Sequence, residues 1–162
     1  MADKIPFTRF GVVDKDIASS ESGYAFLRKL LDATHPAPPF SEVSDVWLVE
    51  VEEGRVIFEA KPSARFYNPM GTVHGGWIST VLDSAMGCVV HSMLKAGQSY
   101  TTVELNVKFV RALSEQTGLV RCEAKIVHCG SRLATSEGRL IDGGGKLIAH
   151  GSETCMILSA KT

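Results

Sequence analysis
Hydrophobic residues recur along this chain with two different periods. From Ser20 or Ser22 onward, Tyr24, Leu27, Leu30 and Leu31 follow a helical spacing. His35-Pro36 and Pro38-Pro39 close that segment, because proline cannot continue a helical hydrogen-bond ladder. Val46–Val51 and Arg55–Ala60 are strand-like runs around a Glu52-Glu53-Gly54 turn. After a loop over 62–73, a long apolar segment predicts a helix from Gly75 to about Ala96, capped by Gly97. Four strand-like runs follow: Thr101–Arg111, Gly118–His128, Arg132–Ile141 and Lys146–Leu158. In the first of them Val103, Leu105, Val107 and Phe109 alternate with polar residues, and Asp142-Gly143-Gly144-Gly145 joins the last two as a turn. Helix, two strands, long helix, four strands predicts an α+β domain, with an antiparallel sheet curving around one apolar helix. Residues 1–19 are expected as an extended lead-in. Residues 1–44 form a lead-in and helix ahead of a main domain over 45–162, a single domain overall.

Composition narrows the class. A chain of 162 residues is long enough for a real core. Its 17 basic and 18 acidic side chains exclude bulk attraction to nucleic acid or to an anionic membrane surface, so any anion recognition is local. Cys88, Cys122, Cys129 and Cys155 contain no CxxC pair and are expected as reduced packing residues. The N-terminal MADKIPFTRFG has no apolar run of a signal peptide, and the stretch from Trp77 to Leu94 contains Asp83 and His91, too polar for a membrane span. A cytoplasmic protein is expected. His35, His91, His128 and His150 have no metal-ligand spacing, and neither a metal nor a cofactor is implied.

Candidate chemistry concentrates in NPMGTVHGGWISTVLDSAMGC, Asn68 to Cys88. The first N–H groups of a helix lack intrahelical partners, and the peptide dipoles make that end partly positive. Gly75 and Gly76 there leave the backbone open to a carbonyl oxygen that gains negative charge, as well as to close helix–sheet packing. Asp83 stands eight residues further on, ~12 Å along an α-helix. One chain cannot bring the Gly75 N–H and the Asp83 carboxylate to one carbonyl, whereas two antiparallel copies of the helix can. The spacing therefore predicts a two-fold dimer with sites shared across its interface. His74 and Asn68 also have plainer uses, as a loop residue and a turn residue before Pro69.

The motif Asn68, Gly71, His74-Gly75-Gly76 and Asp83, followed by LNVKFVRAL and HCGSRLATSEGRL, resembles the hotdog-fold acyl-CoA thioesterases of the phenylacetate-pathway (PaaI-like) type over residues 45–158. The resemblance implies a hotdog fold, assembly to a homodimer and often a homotetramer, and hydrolysis of acyl-CoA to free acid and CoA. It implies that the Gly75 N–H polarises the thioester carbonyl and that Asp83 of the partner subunit acts as general base or nucleophile. Asn68 would orient water or substrate, His74 would hold the loop and bond near the thioester, and Thr102, rather than Thr101, would stand beside the acid. Trp77 departs from the small residue expected after Gly-Gly; it either narrows the acyl pocket or packs in the core. Phe66, Met70 and Met86 are further candidates to line that pocket.

CoA carries phosphates, so Lys108, Arg111, Arg132 and Arg139 are candidate contacts, Arg132 first, with Gly130 and Ser131 offering backbone N–H groups before it. Two other functions fit the same motif: an acyl-thioester hydratase or dehydratase, and a non-catalytic acyl-CoA-binding module. The acyl group, aryl or medium-chain, is left open.

Overall fold
The structure, a computed structural model, describes residues 7–159. Three short helices lead: α1 (Lys15–Ser20), α2 (Gly23–Leu31) and α3 (Pro39–Ser44). Strands β1 (Val46–Glu52) and β2 (Arg55–Ala60) follow, then the central helix α4 (Gly75–Ser92). The chain ends in β3 (Gln98–Phe109), β4 (Val120–Cys129), β5 (Leu133–Asp142) and β6 (Leu147–Ser159). All six strands form one antiparallel sheet in the order β1-β2-β4-β5-β6-β3. It curves around α4, which packs against β2, β3, β4, β5 and β6. This is the expected hotdog architecture.

Helix α4 is apolar around most of its circumference, as a helix wrapped by a sheet has to be. Trp77, Ile78, Val81, Leu82, Ala85, Met86, Val89 and Val90 are all buried. Gly138 of β5 lets the sheet approach closely, since a Cβ there would stand 2.9 Å from Met86 Cγ and 3.2 Å from Leu82 Cδ2. Leu27 and Leu30 of α2 join the same core, so the N-terminal helices close one side of it.

Three expectations need correction. Of the extended lead-in, residues 1–6 lie outside the described residues, while Lys15–Ser20 form a helical turn and a half capped by Asp14. The double proline does more than end a helix: Pro39 occupies the first turn of α3, where its missing N–H costs nothing. Finally, α4 ends at Ser92, four residues early. The Leu94 carbonyl accepts the Gly23 N–H at the start of α2, and Met93 and Leu94 close the helix with short i to i−3 bonds. Gly97, with φ +80°, belongs to the turn into β3.

Candidate active site
Helix α4 starts on its own histidine. His74 is the N-cap, and its Nδ1 accepts the Gly76 N–H at 2.8 Å, which leaves Nε2 as the hydrogen-bearing nitrogen on an exposed ring. Gly76 makes this bond possible, because a Cβ there would sit 2.9 Å from His74 Nδ1. The Gly75 N–H, by contrast, has no acceptor among the described residues. Of the two glycines, only Gly75 offers a free donor at the positive end of the helix. A Cβ on Gly75 would meet Phe109 of β3 at 3.3 Å.

Asn68 is committed to its own turn. Its Oδ1 accepts from the N–H groups of Met70 (2.9 Å) and Thr72 (3.2 Å), and its Nδ2 donates to Thr72 Oγ1 at 3.0 Å. Tied in this way, it shapes the 68–72 turn that delivers His74.

Asp83 is half-buried and lines an apolar cavity of about 250 Å³ with Thr102 and Tyr100. Leu27, Leu30 and Phe40 of the N-terminal helices form the facing wall. Burial pushes the Asp83 carboxyl above the ordinary aspartate range, and the neighbouring Thr102 hydroxyl partly offsets this. The plain alternation Val103, Leu105, Val107, Phe109 does not hold. β3 pairs Thr102 with Cys155 and Glu104 with Thr154, so Val103 is a bulge residue, 52 % exposed. The bulge switches faces: Tyr100 and Thr102 turn to the cavity before it, and Val107 and Phe109 turn to α4 after it.

Trp77 is core packing. Its Nε1 donates to the Ser44 carbonyl at 2.7 Å and its ring stacks on Phe66 at 5.4 Å, which ties α3 to α4. Phe66, Met70 and Met86 do not line the cavity; Met70 is in solvent and Met86 is fully buried. Cys129 is exposed rather than packed, and all four cysteines are free.

The phosphate-binding candidates do not converge within one chain. Lys108 lies near the end of β3 that faces the start of α4, donating to Asn106 Oδ1, and Arg111 follows it. Gly130, Ser131 and Arg132 form the β4–β5 turn at the other end of the sheet, where the Gly130 N–H is already given to the Leu133 carbonyl. Arg111, Ser131 and Arg132 are exposed.

Sequence reasoning missed two parts of the site. One is the cavity wall supplied by α2 and α3. The other is Glu153 of β6, 1 % exposed, whose Oε1 accepts the Thr102 hydroxyl at 2.9 Å. Among the described residues no group of histidine, cysteine and acidic side chains has the geometry to hold a metal ion, and no helix is long and apolar enough to cross a membrane.

A family model described as the thioesterase superfamily matches residues 70–149, from the turn before α4 into β6. No curated protein matches the chain. Among solved structures, a phenylacetic acid degradation-related protein from Ralstonia eutropha is 28% identical with a TM-score of 0.74, over 81% of this chain and 98% of its own. The E. coli PaaI protein of the phenylacetic acid degradation operon is similar in fold, with TM-score 0.74 at 15% identity over 86% of this chain and 99% of its own. So is a thioesterase from Haemophilus influenzae, with TM-score 0.73 at 15% identity over 84% and 92%.

Proposed function
The chain belongs to the thioesterase superfamily, and from that premise we propose that it hydrolyses an aryl- or medium-chain acyl-CoA in active sites shared between two subunits. The observation that carries this reading is the placement of Asp83 and Thr102 on an apolar cavity, at a distance along α4 from the free Gly75 N–H. The cavity suits an apolar acyl group of limited size. β3 is a 12-residue edge strand that no described element covers, and Val103, Leu105 and Phe109 on it are exposed. Such an edge is a template for pairing with a second copy. Antiparallel pairing of two β3 strands would bring the start of one α4 towards the middle of the other.

In this reading the Gly75 N–H of one protomer donates to the thioester carbonyl oxygen. Asp83 of the partner subunit takes a proton from water as the water oxygen bonds to the carbonyl carbon. The oxyanion then collapses, the C–S bond breaks, and the thiolate leaves with the proton from Asp83, giving free acid and CoA. A carboxyl whose proton affinity is raised by burial is a better base than an ordinary aspartate, which suits this role. His74 Nε2 is free to donate to the substrate, and Asn68 supports the turn. Lys108 and Arg111 of one subunit, with Ser131 and Arg132 of the other, are the candidates for the CoA phosphates, while the Gly130 N–H is held by the Leu133 carbonyl.

Thiol release from a panel of aryl and straight-chain acyl-CoAs tests the proposal. The parent is expected to turn over part of the panel, and Asp83→Asn to lose about 100-fold or more in kcat while staying folded. Hydration of an enoyl-CoA without thiol release would favour the hydratase reading instead. Turnover by Asp83→Asn at the parent rate would rule out Asp83 as the base.

A further inference from the structure
Behind Thr102 lies a second carboxyl group. On β6, Glu153, Cys155 and Ile157 turn inward, and Glu153 is buried. Its Oε1 accepts from Thr102 Oγ1 at 2.9 Å and from Cys155 Sγ at 3.0 Å. Its Oε2 is buried with no hydrogen-bond partner among the described residues. The titratable groups around it are all acidic: Asp83 and Cys88 from α4, Tyr100 from β3 and Cys155 from β6. Its register neighbours are Leu105 on β3 and Ser136 on β5, and the Ser136 hydroxyl is given to the Met86 carbonyl. Among the described residues no lysine, arginine or histidine contributes to its pKa shift. A carboxyl left half-unsatisfied in a place without a cation is costly for a fold that needs only packing there.

We propose that Glu153 is a positioning residue for the hydrolysis, acting on Asp83 through the Thr102 hydroxyl and through its own charge. This rests on Asp83 being the base. The Thr102 hydroxyl has one hydrogen. With Glu153 ionised, that hydrogen points to Oε1 and the Thr102 oxygen presents lone pairs on its other side. A water donating one hydrogen to Asp83 then donates its second to Thr102, which turns its own lone pair to the carbonyl carbon. With Glu153 protonated on Oε1, Glu153 donates to Thr102, and Thr102 donates to Asp83 in competition with the water. Burial and the nearby Asp83 charge push Glu153 up to about 7, and two carboxyls in one site titrate as a pair.

Two measurements test this. The first is a carbon-13 carboxyl titration of Glu153 in the parent and in Asp83→Asn. Its midpoint is expected near neutrality in the parent and lower in the variant. The second is the pH profile of kcat/KM for the parent and Glu153→Gln. The acid limb is expected to move to lower pH by about half a unit or more. At the optimum kcat should fall about tenfold, with KM nearly unchanged, because the water is held less well. A Glu153 that titrates in the ordinary carboxylate range, or a Glu153→Gln profile that superimposes on the parent, would overturn the inference while leaving Asp83 as the base. Full turnover by Asp83→Asn would overturn both. A parent titration in the ordinary carboxylate range would overturn the inference even if Glu153→Gln does not fold.

Discussion

At the scale of single residues, the site places two acids where burial works against their charge. For Glu153 the consequence extends to stability. Its folded carboxyl binds a proton more tightly than the unfolded one, so its contribution is most favourable at low pH and is lost as pH rises from the unfolded value of 4.5 through about 7. Glu153→Gln is expected to be stabilised relative to the parent above neutrality, on the order of 3 kcal/mol, with the gain shrinking towards zero below about pH 4.5. Urea melts of both proteins at pH 5 and pH 8 measure the difference; an equal difference at both pH values would mean that Glu153 keeps its charge when folded. Legibility at this scale depended on contrast. Asp83 stood out because it interrupts an apolar helix, and Gly75 and His74 because they mark its start. Glu153 did not, because it lies in His150-Gly151-Ser152-Glu153-Thr154, where polar residues on both faces hide the alternation. Thr102 was legible only through the family motif, because the bulge after it leaves no trace in the side-chain pattern.

At the scale of elements, α4 depends on a cap that its own sequence supplies. His74→Ala removes the acceptor for the Gly76 N–H and should cost about 1 kcal/mol. Gly76→Ala should cost a similar amount by a different route, since its methyl group would displace the imidazole. The two losses share one interaction, so they should not add: Gly76→Ala is expected to cost much less when His74 is already Ala. Chemical melts of the parent, both single variants and the double variant complete the cycle, and simple additivity would show that the clash lies elsewhere. The element order was legible because hydrophobic period and turn residues agree locally, down to the Gly54 and Gly145 turns, both with φ +79°. The end of α4 was not, because it is set by the distant start of α2. The cavity wall from α2 and α3 was hidden for the same reason: contacts between segments far apart in sequence leave no local period.

At the scale of the whole molecule, the separation of Gly75 from Asp83 on one rigid helix is the strongest constraint on function. Eight residues span ~12 Å, so within one chain the donor and the base cannot meet at a single carbonyl. Complementation between two inactive variants tests whether they meet across subunits. Gly75→Pro removes the N–H at the first helical position, where proline is tolerated, although its ring has to move Phe109 slightly. Asp83→Asn removes the base. Each variant alone should be nearly inactive. In a mixed dimer, the intact Gly75 comes from the Asp83→Asn chain and the intact Asp83 from the Gly75→Pro chain, so one of the two sites is whole. Statistical mixing makes half of the dimers mixed, and turnover should recover to about a quarter of the parent value. A site contained within one chain gives no recovery on mixing, because every chain then carries its own defect. Thiol release before and after subunit exchange, with exchange itself followed by mass spectrometry of the dimers, separates the two cases. Recovery would mean that only pairing of two chains completes a site, and the long open edge of β3 is the surface proposed for that pairing.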